Sequence, residues 1–456
     1  MISKVNDTTK PRIKAMFIKS VLNTLILSSC FFAGAYGSPV SIKSMYAEAL
    51  EFDQDLQNAR GTVEQAKGNY VENLYAFLPA PLISYSSERI ETTFANGRER
   101  ISHPAAFNLI VMQNISAPKI FSTISSYDAV KGEKADYIEG HSKLIYAILF
   151  EHAKILSAYE SLKSLEATSE QLKKIYDNEL VLLKQRNTTQ ANVDLAKTTY
   201  ESSLNDQLIL KKSIFSNINT LYRLTGKFYT RLPALPQNND AILAIKTKSL
   251  PNYESNSLKQ NGNVIGSRYK VNAQRNQMRA TRGNFLPYLS YTVLYNKNEN
   301  QSSDIVLVDD TLLTSIGVTY NFGANPGTIV TQRGTLTRAI AKNRQVVAQT
   351  ISSLHNSYQN LKNSQSNIKQ YKTSIPSAEA TVKAMEAQYK DKTIRLSELL
   401  NAIKHLQSLN QELANSRYGA VANYINLSVL AGEKPNTILK QLNPLLTGQV
   451  VLPKSS

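Results

Sequence analysis

Side chains able to do chemistry are few in this sequence, and none is spaced to work with another. The single cysteine, Cys30, has no partner for a disulfide, a thiolate zinc site or an iron–sulfur cluster. Metal ligation by histidine needs two imidazoles on one face, at spacings such as HxH or HExxH. His103, His141, His152, His355 and His405 are scattered and match neither. Phosphate-cradling GxxxxGK[ST], dinucleotide-binding GxGxxG and nucleophile-elbow GxSxG motifs are all absent. The sequence therefore offers no catalytic residue, no cofactor site and no metal site. Each histidine is expected to pack or to be solvated, and an enzyme is disfavoured before any folding argument.

The charge balance points no more clearly to a ligand. Lys plus Arg is 52 against 35 Asp plus Glu, a formal charge of +17. These bases are dispersed, without an arginine-rich run or a reader motif, so no nucleic-acid partner is expected. Apolar residues at 42% with 19% charged residues are too apolar for a disordered chain and too polar for a multi-span helical membrane protein. At 456 residues the chain has room for about three domain-sized units.

The first 35 residues read as a signal peptide. Lys4, Lys10, Arg12, Lys14 and Lys19 form a basic region, Val21 to Phe32 a short apolar one, and Ala33-Gly34-Ala35 a small-x-small cleavage site. Ala35-Tyr36-Gly37 is a second candidate site, and Met16 an alternative start. A rival reading is lipidation at Cys30, after Leu27-Ser28-Ser29, although apolar Phe31 and Phe32 replace the usual polar tether. Loss of residues 1–35 removes five bases and one acid, taking +17 to +13. It also removes the only cysteine, which suits an oxidising compartment.

The remainder is one unit used twice. Phe77-Leu78-Pro79 and Phe285-Leu286-Pro287 are 208 residues apart, and the same offset aligns Leu56 with Val264, Arg60 with Arg268, Val63 with Val271 and Pro118 with Pro326. Near the close of each unit, LYRLTGK at 221–227 matches LSVLAGE at 427–433. The expected division is a first repeat over 36–228, a Pro- and Asn-rich linker over 229–251, a second repeat over 252–433 and a tail over 434–456. A period this long means a duplicated domain rather than a solenoid.

Each repeat is expected to run helix, two strands, long helical hairpin. Residues 42–76 are helix-forming up to Pro79. Leu289, Tyr291, Val293 and Tyr295 then alternate with polar residues, with Leu294 the exception, and Ile316, Val318, Tyr320 and Phe322 alternate with Ser315, Gly317, Thr319 and Asn321. That is the period of strands with one apolar face. The apolar set is expected to face lipid and the polar set a lumen. Polar residues 296–310 are expected to form the loop between these strands. In the first repeat Phe107, Leu109, Val111 and Ile115 play the same part, with residues 88–103 as the loop. After Pro118 the pattern Ile148, Ile155, Ala158, Leu162, Leu165, Leu172, Tyr176, Leu183 is a heptad seam, interrupted by Glu151, Ser169 and Glu179. A return helix follows at 189–224, and 328–388 with 395–431 repeats the hairpin.

Four amphipathic strands cannot close a barrel, and open edges are not tolerated in lipid because unpaired backbone groups there cost several kcal/mol each. Three chains sharing one barrel supply twelve strands, an even and workable number. At this point the chain resembles the TolC family of outer-membrane efflux and secretion channels. The resemblance rests on the paired FLP motifs, LTGKFYTRLPAL at 224–235 and QELANSRY at 411–418, in order and duplicated. It implies a mixed α and β membrane protein: a trimeric, 12-stranded outer-membrane β-barrel, four strands per chain, continued by a long α-helical coiled-coil barrel in the periplasm. It also implies an exit duct of a tripartite efflux pump or type I secretion system, partnered by a periplasmic adaptor protein and an inner-membrane transporter. A secreted structural coiled coil is the alternative, but it gives no reason for paired strands at the same place in each repeat.

The resemblance also assigns a periplasmic gate and a docking tip. Tyr389 matches a gate tyrosine; the gate arginine position falls on Ile394 with Arg395 beside it, the acid position on Asn192, and a ring acid on Glu398. Tyr389 is expected to reach the Asn192 amide oxygen. Arg186 and Asn187, with Lys392 and Thr393, are expected to meet the adaptor. The family usually places Gly where Arg186 and Lys392 stand, so Asn187 is expected to take the left-handed conformation instead.

Overall fold

The computed structural model describes residues 40–236, 242–243, 245, 247–302 and 306–452. The signal-peptide and Cys30 expectations, and parts of the linker and tail, lie outside the described residues. The first repeat comprises α1 (Ile42–Phe52), α2 (Gln54–Tyr75), β1 (Ala80–Ser87), β2 (Ile90–Thr93), β3 (Glu99–Ile115), α3 (Ala117–Lys184) and α4 (Gln190–Thr225). After the short strand β4 (Arg231–Ala234), the second comprises α5 (Leu250–Gln260), α6 (Gly262–Gly283), β5 (Tyr288–Ser302), β6 (Val306–Thr319), α7 (Gly327–Lys390) and α8 (Leu396–Leu430). Helix α9 (Pro435–Leu442) and strand β7 (Gly448–Val451) close the chain.

The helix expected over 42–76 is broken at Asp53. Its backbone is extended (φ −66°, ψ 120°), and its side chain accepts from Leu56 N at 2.8 Å, so it caps α2. Asn261, the counterpart of Asp53 in the second repeat, adopts φ −67°, ψ 125° and caps α6 through Val264 N. The glycines of the two closing motifs, Gly226 and Gly432, both end helices at positive φ, 72° and 80°, which Gly accepts without a Cβ clash.

Helices α3 and α7 run 68 and 64 residues without a break. At ~1.5 Å per residue each is about 100 Å long. Both turn back at a tip, and the two hairpins pack side by side, α3 against α4 and α8, and α7 against α8. Ile148, Ile155, Leu162, Leu165 and Leu172 of the expected seam are buried. The three polar interruptions are buried too, and each has a partner. Glu151 pairs with Lys154 at 2.9 Å, Ser169 accepts from Gln207 at 2.7 Å, and Glu179 accepts from Tyr389 and Thr188.

The larger sheet has the order β1-β3-β5-β6, with β2 extending β1 alongside β3, all antiparallel. β1 and β6 are its edges. The strands run further than the polar sequence suggests. Most of residues 88–103 are strand around a tight turn at Gly97, and β5 and β6 extend to 302 and from 306. Backbone pairing continues there without an apolar face because the ladder is made by N–H and C=O groups, whatever the side chains. At the other end β6 stops at Thr319, so Tyr320, Asn321 and Phe322 lie past the paired strand.

Residues paired across antiparallel strands share a face. One face carries Ile83, Leu109, Tyr295 and Leu312 in one row, with Pro81, Val111, Val293 and Thr314 in the next. Gln113, Tyr291 and Ile316, then Ile115, Leu289 and Val318, follow on that face. The opposite face carries Ser84, Asn108, Asn296 and Thr311, and also Asn114, Ser290 and Gly317. Leu294 is no isolated exception: it lies in a row with Leu82, Ile110 and Leu313 on that otherwise polar face. Among the described residues nothing covers the apolar face; Ile316 and Val318 are 73% and 75% exposed.

Midway along the helices, β4 pairs with β7 and is tied to α3 and α8. The buried His152 ring bonds Pro233 O at 2.7 Å. In the QELANSRY segment, Arg417 and Tyr418 both grip Glu160, at 2.9 and 2.8 Å, and Arg417 also donates to Pro236 O. That motif is thus a clamp between the helical hairpins and the linker. Glu139 does similar work for α6, accepting from Gly262 N at 2.9 Å and from Asn261.

Candidate functional site

The tips of the two hairpins form a single site. Each long helix ends in the same bonded turn. Asn187 N donates to Leu182 O at 2.8 Å and Arg186 N to Leu183 O at 3.0 Å; Thr393 N donates to Gln388 O at 2.9 Å and Lys392 N to Tyr389 O at 3.0 Å. This is the Schellman closure, whose penultimate residue must be left-handed and is usually Gly. Here those residues are Arg186 (φ 57°) and Lys392 (φ 60°). The expectation for Asn187 is therefore corrected. The 6→1 bond fixes which residue turns left-handed, and that residue is the arginine whatever its side-chain preference. The conformation costs about 1–2 kcal/mol in each hairpin.

The return helices begin differently. Thr189 caps α4, its hydroxyl accepting from Asn192 N at 3.3 Å. At the equivalent place in the second repeat, Arg395 is the N-cap of α8 and provides no side-chain cap. An N-cap normally carries Ser, Thr, Asp or Asn, and a cation there opposes the helix dipole.

Between the tips lies a cavity of about 600 Å³ whose lining includes Asn187, Thr188, Asn192, Tyr389, Lys392 and Arg395. Five of the sequence-assigned residues thus meet in one place. Arg186 and Thr393 stand exposed on the adjoining turns, and Glu398 lies exposed in the first turn of α8. Ile394, at the arginine position of the resemblance, is half-buried against the core of Leu172, Ala196, Val382, Leu396, Leu399, Leu400 and Ile403.

The structure gives Tyr389 a different acceptor from the expected one. Its hydroxyl donates to Glu179 Oε1 at 2.5 Å, while Thr188 donates to Glu179 Oε2 at 2.8 Å. Asn192 donates its amide to Thr188 Oγ1 at 3.1 Å. Glu179 is 0% exposed, so the tip holds a carboxylate that water does not reach. Burial, and then the bond to this anion, hold the Tyr389 phenol well above its usual pKa, so it stays a donor. Sequence reading missed Glu179 as a site residue. Its signal was an acid on a heptad seam, nearly two turns before the turn at 186.

Among the described residues, no group of His, Cys, Asp and Glu is placed to hold a metal ion, and no helix is long and apolar enough to cross a membrane.

A four-stranded amphipathic sheet with free edges, continued by two helical hairpins about 100 Å long, defines the class: a chain of the TolC-like channel fold. Residues 255–433 match the outer membrane efflux protein family, and the chain carries that domain as its second repeat. The family is one of outer membrane efflux channels rather than enzymes. Among solved structures, the fold is similar to that of CusC, described for transmembrane channel formation (TM-score 0.75, 17% identity, covering 88% of this chain and 96% of that one). It is similar to the CmeC outer membrane channel of Campylobacter jejuni (TM-score 0.74, 15% identity, 98% of each chain). It is also similar to the outer membrane protein VceC of Vibrio cholerae (TM-score 0.72, 14% identity, 86% and 96%). No curated protein matches the sequence.

Proposed function

We propose that three copies of this chain form the outer-membrane exit duct of a tripartite efflux pump or type I secretion system in a Gram-negative bacterium. The observation that carries this is the open sheet. Among the described residues its edges β1 and β6 are unpaired, and its apolar face is uncovered. In lipid both must be satisfied, and joining β6 of one copy to β1 of the next does so. Twelve strands result, with Ile316 and Val318 toward lipid and Ser315, Gly317 and Thr319 toward the lumen. The helical hairpins then continue the barrel into the periplasm.

At the far end, Arg186, Asn187, Lys392 and Thr393 meet a periplasmic adaptor, which couples the duct to an inner-membrane transporter. Tyr389, Arg395, Asn192 and Glu398 form the gate, with Glu179 as the buried anchor of Tyr389. The test is the mass of the detergent-solubilised mature protein, with conductance in planar bilayers. A trimer forming discrete pores is expected. A monodisperse soluble monomer without conductance would sink the duct and favour a structural coiled coil.

A further inference from the structure

Three tip residues stand where the backbone prefers something else. Arg186 and Lys392 occupy the left-handed closing position of their turns, one in each repeat, and Arg395 occupies an N-cap it does not satisfy. Local folding explains none of them, since Gly at the first two positions and Ser or Asp at the third would make a more stable tip. The two turns have diverged in sequence, QRNTT against DKTIR, yet both keep a base at the strained position.

Among the described residues their charge has no ion-pair partner. Lys184, Arg186, Lys390, Lys392 and Arg395 are all exposed, and no ion pair joins any of them among the described residues. Asp391 is the one acid within the two turns. Beneath them Glu179 is committed to Tyr389 and Thr188, and Asp194 accepts from Gln190. Glu398, exposed a turn inward, is the remaining nearby carboxylate. Within the two turns themselves, at the end of the hairpins, three bases (Arg186, Lys392 and Arg395) stand against one acid.

We propose that the tip is built to grip an acidic protein surface. The periplasmic partner presents carboxylates at its docking end, one set for each hairpin. Arg186 and Lys392 read equivalent acids on successive copies of that surface, and Arg395 reads a further one beside Lys392. This rests on the docking reading above and adds its chemistry. The recurrence of the strained base in both repeats favours a protein with repeated docking ends over a lipid surface, which requires no fixed spacing. It also makes the partner specific. A surface fitted to glycine turns would leave these charges unpaired, and would be rejected.

The test places a photo-cross-linking amino acid at Thr393 in the full chain, in cells carrying its native genomic neighbours, and sequences the cross-linked peptide. Expected is a periplasmic protein joined through a segment containing Asp or Glu. The yield should fall about tenfold in Arg186→Gln/Lys392→Gln/Arg395→Gln and persist in Arg186→Lys/Lys392→Arg/Arg395→Lys, at equal trimer levels in the membrane. A protein joined through a segment without carboxylates, or an unchanged yield in the glutamine variant, overturns the acidic partner and leaves the docking reading standing. Cross-linking to phospholipid alone, or to nothing, overturns both.

Discussion

The tip is decided by single side chains whose partners only the fold reveals. The resemblance picked out Tyr389, but its acceptor lies in the other repeat, on a helix distant in sequence. Glu179 was visible only as a flaw in a heptad. A buried acid on a seam is legible as needing a donor; which donor is not, because the pairing depends on how two hairpins of different repeats lie together. Tyr389→Phe leaves one oxygen of a water-excluded carboxylate without its donor. A loss of about 1–3 kcal/mol in tip stability is expected. Bilayer recordings should therefore show higher conductance at rest, and conductance equal to the parent would remove Tyr389 from the gate. His152 gives a second residue-scale outcome. Its burial pushes the imidazole down to about 4, so the folded form is neutral and donates to Pro233 O. The unfolded chain titrates near 6.5. Stability from this site is full above that pH and is lost as pH falls toward 4, by up to about 3 kcal/mol. His152→Gln keeps a donor but cannot charge. Its melting temperature should fall less than the parent's between pH 7 and pH 4.5.

Elements were largely legible where one face is apolar, and poorly where none is. The long helices followed from heptads and the absence of proline, although Pro376 sits inside α7 without ending it. The break at Asp53 was missed because helix propensity barely registers one residue; the cue was a second capping residue, Asn261, at the repeat offset. The strand cores followed from alternation, and the strand ends did not, since polar residues 296–302 pair through backbone groups that no side-chain pattern reports. Leu294 marks the same limit. Alone it looked like an error in the period, and only the register places it with Leu82, Ile110 and Leu313 as one apolar row. The face assignment is open to a paired substitution. Leu109 and Asn108 are neighbours on β3 that point to opposite faces. Leu109→Arg should cost about 2–4 kcal/mol if it enters the bilayer midplane, and sharply lower membrane-inserted trimer. Asn108→Arg should insert normally and change ion selectivity. The reverse pattern would invert the barrel wall.

At the scale of the whole molecule, duplication explains why four strands suffice. Each repeat contributes one strand hairpin and one helical hairpin, so in the proposed trimer three chains present six similar staves around an axis. Properties of that axis belong to no single chain. Glu398 shows this. In one chain it is an ordinary exposed carboxylate in the first turn of α8, well placed for the helix dipole. Around a threefold axis at the tip it becomes a ring of three. At ~8 Å apart in water each pair repels by only about 0.5 kcal/mol, so the ring does not force the tip open. The exposed bases Arg186, Lys392 and Arg395 lie outside it, so a cation arriving from the periplasm meets repulsion first and the carboxylates second. Monovalent ions gain little from three separated acids, whereas a trivalent cation can satisfy all three together. Block of the reconstituted duct by such a cation, added from the periplasmic side, should weaken at least about tenfold in Glu398→Gln, while block in Arg395→Gln should strengthen as the outer repulsion falls. Block that ignores Glu398 would mean that the three carboxylates do not face one another. The threefold placement of α8 around the pore would then be wrong, even if the barrel stands.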